Sequence, residues 1–143
     1  MSILNKAVLY LRMIKIEHSV FALPFAFAGA ILAADGIPDL EKILWITVAM
    51  VTARASAFGF NRIIDRKIDA LNPRTASREI PTGKIKPWEA VLFTVLCLII
   101  FVYSAWMLNP LCFKLSPIAI SVLFVYSYMK RFTWACHFVL GLA

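Results

Sequence analysis

Long apolar runs broken by short charged stretches dominate the chain. Met13 to Ala34 is apolar apart from Lys15, Glu17, His18 and Ser19, and Ile43 to Phe60 apart from Thr47, Thr52, Arg54 and Ser56. Ala90 to Leu108 carries no charge at all, and Leu115 to Met129 extends to a comparable length if it begins near Leu111. A bilayer core is crossed by roughly 17–25 residues of helix. Four spans are therefore predicted. They must be helical, because lipid offers no partner to an open backbone N–H or C=O. A fifth apolar stretch, Trp134 to Ala143, has ten residues and is too short to cross. The expected fold is all-α: a multi-pass transmembrane helical bundle of four full spans plus the start of a fifth, in one domain over residues 1–143. A cytoplasmic loop is expected at about 61–89. The first run reads as a retained span, since Lys15 and Glu17 do not suit a signal peptide cleaved near Ala33.

Basic residues alternate between the ends of these spans. Lys6, Arg12 and Lys15 precede the first, and the segment 35–42 has one Lys against Asp35, Asp39 and Glu41. The stretch 61–89 holds Arg62, Arg66, Lys67, Arg74, Arg78, Lys84 and Lys86, the next connection only Lys114, and the fourth span ends on Lys130 and Arg131. Under the positive-inside rule the N-terminus and the 61–89 stretch face the cytoplasm. The expected location is a bacterial inner membrane.

Composition agrees with a lipid solvent. Hydrophobic residues are 62% of the chain and charged residues 16%, against roughly 45–50% and 25% in soluble domains. Mean hydropathy is +0.80. The net charge of +7 does not point to nucleic acid, because the basic residues sit between apolar runs instead of forming a continuous patch. Cys97, Cys112 and Cys136 lack metal-ligand spacing, and no disulfide framework is implied. His18 and His137 are isolated, and Met13, Met50, Met107 and Met129 read as packing residues.

Chemistry concentrates between Arg54 and Lys84. At about 100° per residue, Asn61, Asp65 and Asp69 fall about 40° apart in turn, and Arg54 lies about 20° from Asn61 on the other side. One helical stripe thus presents Arg, Asn, Asp and Asp. Arg54 lies inside a span, where a charge costs a few kcal/mol on insertion scales and usually faces a bundle interior or wet cavity. The small residues Ala53, Ala55, Ser56, Ala57 and Gly59 permit close helix packing. Two carboxylates and an amide oxygen, each a turn apart, suit Mg²⁺, which is commonly completed by substrate phosphates. Arg62, Arg66, Lys67, Arg74, Arg78 and Lys84 add positive charge for phosphate oxygens. A bare Asp-x-x-x-Asp could equally be a solvated helix end paired with Arg66 or Lys67, and the basic stretch a topology signal or anionic-lipid contact. The intramembrane Arg54 and the length of the string favour a metal-bridged diphosphate carrying a lipid tail.

The string Asn61-x-x-x-Asp65-x-x-x-Asp69, followed by Asn72-Pro73-Arg74-Thr75 and Arg78-x-Ile80-Pro81-x-Gly83, resembles the first Asp-rich motif of the UbiA prenyltransferase superfamily. Glu17-His18-Ser19-Val20-Phe21-Ala22-Leu23-Pro24-Phe25 is similar to bacterial 4-hydroxybenzoate polyprenyltransferases, and Tyr126 to Thr133 to the end of that family's fourth helix. The resemblance implies that Asn61, Asp65 and Asp69 hold Mg²⁺ and, through it, a polyprenyl diphosphate. Arg54 and Lys130 would line the polar end of the cavity near the diphosphate or the aromatic acceptor. Asp65, Asp69, Arg54 and Lys130 would be the catalytic set, with Asn61, Arg62, Arg66, Arg74, Arg78 and Lys84 around the diphosphate. It further implies Mg²⁺-dependent ionisation of the allylic diphosphate and attack by the carbocation on an electron-rich ring, as in ubiquinone biosynthesis.

Full-length members of the superfamily carry a second Asp-rich motif and about nine spans. This sequence has no Asp after Asp69 and no acidic residue after Glu89. The expectation is therefore an N-terminal half that is inactive or nearly so alone: a truncated reading frame, a gene fragment, or one half of a split protein that a second polypeptide or an oligomer completes. Competing expectations are another acceptor on the same scaffold, from menaquinone, haem or chlorophyll pathways, and a non-enzymatic membrane half-bundle. A soluble prenyl synthase is disfavoured by the composition.

Overall fold

The computed structural model describes residues 3–129. These form five helices: α1 (Ile3–Met13), α2 (Ile16–Ala34), α3 (Leu40–Leu71), α4 (Pro87–Leu108) and α5 (Pro110–Met129). Four of them, α2 to α5, are long and apolar enough to cross a membrane, as expected. The fourth begins at Pro110, early enough to span. The apolar stretch 134–143 lies outside the described residues.

The first run does not form one continuous helix. Lys15 adopts a left-handed conformation (φ 51°) between α1 and α2, which costs an L-residue about 1 kcal/mol. The joint is held by burial of its neighbours, Met13 at 0% and Ile14 at 4% exposure. No breaker residue marks this joint, so α1 is a separate helix that the apolar pattern does not reveal.

The third helix is longer than its apolar run. Its 32 residues extend about 48 Å at 1.5 Å per residue, against a hydrocarbon core of about 30 Å. The stretch expected as a loop over 61–89 is therefore helical as far as Leu71, and the connection proper is 72–86. Pro87 opens α4, where the Glu89 carboxylate accepts the Lys86 backbone N–H at 3.0 Å. The same carboxylate accepts from Lys6 Nζ at 2.7 Å, tying α1 to the start of α4. This hydrogen bond and the Glu89 charge hold the Lys6 ammonium above the ordinary lysine range.

Small residues are buried and large ones face outward. Ala55, Ser56 and Gly59 of α3 meet a buried row on α4 that includes Ala90, Thr94 and Cys97. A Cβ at Gly59 would collide with the Thr94 side chain, so glycine sets how closely α3 and α4 approach. Buried hydroxyls bond back to their own helices: Thr94 donates to the Ala90 carbonyl at 2.8 Å and Ser104 to the Ile100 carbonyl at 2.7 Å. Phe21, Phe25, Leu32 and Trp106 are exposed, the arrangement expected when lipid covers the outside. The up-and-down order puts the N-terminal helix, the 72–86 connection and the end of α5 at one end of the bundle. Ile80 and Ile85 of the connection pack there with Met13 and Ile14.

Candidate active site

Within α3 the stripe read from spacing divides into two environments. Arg54 and Asn61 line a cavity of about 710 Å³ between α3, α4 and α5. The rest of its wall is largely apolar: Met50, Phe58, Phe101, Ile118 and Val122, with Tyr126 and Ser127 adding polar atoms. Arg54 Nε is buried with no hydrogen-bond partner among the described residues. Its guanidinium carbon lies 5.9 Å from the centre of the Phe58 ring, one turn along α3. That ring supports the cation by its quadrupole but leaves the N–H without an acceptor. A buried donor in this state is a site for an anion or a strong acceptor.

Beyond Asn61 the stripe leaves the cavity wall. Asp65 is half-buried one turn on, and Asp69 is buried a turn further. Arg78, folded back from the connection, places Nη1 2.7 Å from both Asp69 carboxylate oxygens. The Asp69 side chain is only 8% exposed and that of Arg78 is 31% exposed. Thr75 donates its hydroxyl to the Asp69 backbone carbonyl at 2.9 Å. Asn72 closes the turn after the helix by accepting the Arg74 backbone N–H at 3.0 Å. The first turns of the connection are thus fastened to the end of α3 by side chain and main chain together.

The other basic candidates are dispersed. Arg62 is buried and its Nε donates to the Met13 carbonyl at 3.4 Å, while its charge still lies close enough to Asp69, Asp65 and Arg78 to interact with them. The hydrogen bond serves an open carbonyl at the α1–α2 joint. Arg66 is exposed and donates to the Ile63 carbonyl of its own helix at 3.0 Å. Lys67, Arg74 and Lys84 are exposed. Lys130 lies outside the described residues. Phe58 and Tyr126 were not singled out from sequence as site residues. The only advance signal for Phe58 is its position four residues after an intramembrane arginine.

Metal fit rests on the donor set. Asn61, Asp65 and Asp69 offer only oxygen, the preference of Mg²⁺. Among the described residues no group of three or more His, Cys, Asp or Glu could hold a metal ion.

Comparison with known proteins shows the family. The UbiA prenyltransferase family matches residues 22–143. The chain belongs to the UbiA prenyltransferase family. Its relatives include a 4-hydroxybenzoate octaprenyltransferase of Vibrio atlanticus, 40% identical over 114 residues, covering 79% of this chain and 40% of that protein. Another, from Shewanella frigidimarina, is 35% identical over 146 residues, covering 99% of this chain and 51% of that protein. Among solved structures, the apo form of a UbiA homolog from Aeropyrum pernix K1 superposes with a TM-score of 0.81 at 35% identity, over 88% of this chain and 46% of that one. The chain thus spans about half the length, or less, of the UbiA relatives it matches. The all-helical membrane fold is that of the family.

Proposed function

We propose that this chain forms the diphosphate-binding half of a membrane aromatic prenyltransferase. It would transfer a polyprenyl group from its diphosphate to an aromatic acid such as 4-hydroxybenzoate. The observation that carries the reading is the apolar cavity with an unpartnered arginine N–H inside it and a carboxylate-bearing helix end above it. The apolar wall accepts a prenyl chain and keeps water from a reactive allylic cation. Asn61, Asp65 and Asp69 would hold Mg²⁺. When bound, it would neutralise charge growing on the departing diphosphate. As the C–O bond to the diphosphate breaks, its electron pair leaves with the phosphate. A ring carbon of the acceptor then bonds the prenyl C1, and its proton passes to the released diphosphate or to water.

Arg54 suits the acceptor better than the diphosphate. Along the helix axis it lies about 10 Å from Asn61 and about 22 Å from Asp69 at 1.5 Å per residue. A single diphosphate does not reach both ends. The buried guanidinium would pair with the acid group of the ring, a planar match for its fork of N–H donors.

The N-terminus and the 72–86 connection would face the cytoplasm of a bacterial inner membrane. The remaining wall, with the second Asp-rich motif that these 143 residues lack, would come from sequence beyond them or from a second polypeptide or oligomer. The 143 residues expressed alone are expected to bind substrate without turning it over. Binding of a prenyl diphosphate to the purified chain in detergent tests the reading, with and without Mg²⁺, alongside Asp65→Ala. Binding that needs both Mg²⁺ and the carboxylate supports it; binding indifferent to both overturns it.

A further inference from the structure

Asp69 and Arg78 present a conflict. Each is a candidate for substrate, one toward a divalent cation and the other toward phosphate, yet one Arg78 nitrogen lies 2.7 Å from both carboxylate oxygens of Asp69. Neither group is fully available while that contact stands. The Asp69 carboxylate is nearly buried, and a buried carboxylate stripped of its cation is strongly disfavoured. Removing only one partner therefore leaves the other short of its closest counter-charge. A ligand that brings a cation and an anion together can replace both at once.

We propose that Arg78 and Asp69 mask each other in the substrate-free protein and are exchanged as a pair when the cation–diphosphate complex arrives. This rests on the reading of the site given above. Asp69 passes from the Arg78 guanidinium to the divalent cation, and Arg78 passes from the carboxylate to diphosphate oxygens. Charge is conserved on both sides of the exchange, so no buried group is left alone. The base of the connection need not move, because Thr75 holds the Asp69 main-chain carbonyl and not the carboxylate. The change is confined to the Arg78 side chain, because Thr75, Ile80 and Ile85 on either side of it are buried. The contact is thus a gate selective for the metal-complexed diphosphate over a free cation or free phosphate.

The exchange makes a prediction of opposite signs that a merely structural ion pair does not. Arg78→Gln unmasks Asp69. Mn²⁺ alone, followed by electron paramagnetic resonance on the full chain in detergent, should then bind about threefold or more tightly than to the unaltered protein. Pyrophosphate with Mg²⁺ should bind about tenfold more weakly, the loss of one charge-assisted hydrogen bond. Asp69→Asn unmasks Arg78, so pyrophosphate without metal should bind more tightly and Mn²⁺ more weakly. Helical content by circular dichroism checks that each variant is folded, and either variant alone suffices. If a folded variant binds its unmasked ligand equally or more weakly than the unaltered chain, the exchange is wrong although the site stands. If the unaltered chain and both variants bind neither Mn²⁺ nor pyrophosphate, the functional reading fails and the exchange with it.

Discussion

Two arginines on the same side of this protein stand in opposite states. Arg54, deep in the bundle, has a buried N–H with no acceptor and only the Phe58 ring beside it. Arg78, at the bundle end, is paired with both oxygens of one carboxylate. The first sits on the wall of a cavity, on a helix that Gly59 lets pack closely against α4. The second is a satisfied contact on a short connection whose partner can be traded. The difference is one of availability: the donor on α3 has no acceptor among the described residues, and the donor on the connection is already paired.

Breaking the satisfied contact should have the largest effect. Arg78→Ala leaves the Asp69 carboxylate buried and unpaired, and should lower stability by about 2–3 kcal/mol, toward the low end for buried pairs because Arg78 is partly exposed. Thermal unfolding in detergent would show it. A loss below about 0.5 kcal/mol would mean the pair is solvated, as most surface pairs are, and the contrast between the two arginines would lapse.

Removing the unpaired donor should act in the other direction. Arg54→Leu should weaken binding of an aromatic acid by about tenfold, the loss of a charged hydrogen bond, while stability holds or rises, since an unpaired polar group leaves the interior. Calorimetric titration with 4-hydroxybenzoate, set beside a melting curve, separates the two readouts. Joint loss of binding and stability would make Arg54 a structural residue.

The smallest effect sharpens where the trade is confined. Thr75→Val removes one hydrogen bond to the Asp69 carbonyl and should cost about 1 kcal/mol. Mg²⁺-dependent pyrophosphate binding should change little if only the Arg78 side chain takes part. A drop as large as that in Arg78→Gln would place the base of the connection in the ligand site.

Much of this architecture is readable from the residues. The spans follow from apolar length, and the common face of Arg54 and Asn61 follows from a seven-residue separation, nearly two turns. What is not readable depends on contacts distant in sequence. Nothing local announces the break at Lys15; it is stabilised by burial of Met13 and Ile14 against Ile80 and Ile85. The end of α3 at Leu71 is not readable, because a polar helix end and a loop share composition. Arg62 sits among phosphate-type cations in the sequence, but a step of 100° turns it away to the Met13 carbonyl. The Asp69–Arg78 pair depends on how the connection folds back, which spacing does not encode.

The overlong α3 also has a thermodynamic meaning. About 18 Å of it exceeds the hydrocarbon thickness, so its carboxylate end is lifted toward the aqueous phase while Arg54 stays within the bilayer. An amphiphile with a long hydrocarbon tail partitions in the same way, head in water and tail in oil. On the proposed reading the helix would act as a depth gauge matched to that partition, and a bound prenyl diphosphate would keep its resting immersion. The work of dragging a charged headgroup into oil would then be avoided, because the protein would bring its charges up to the phase boundary.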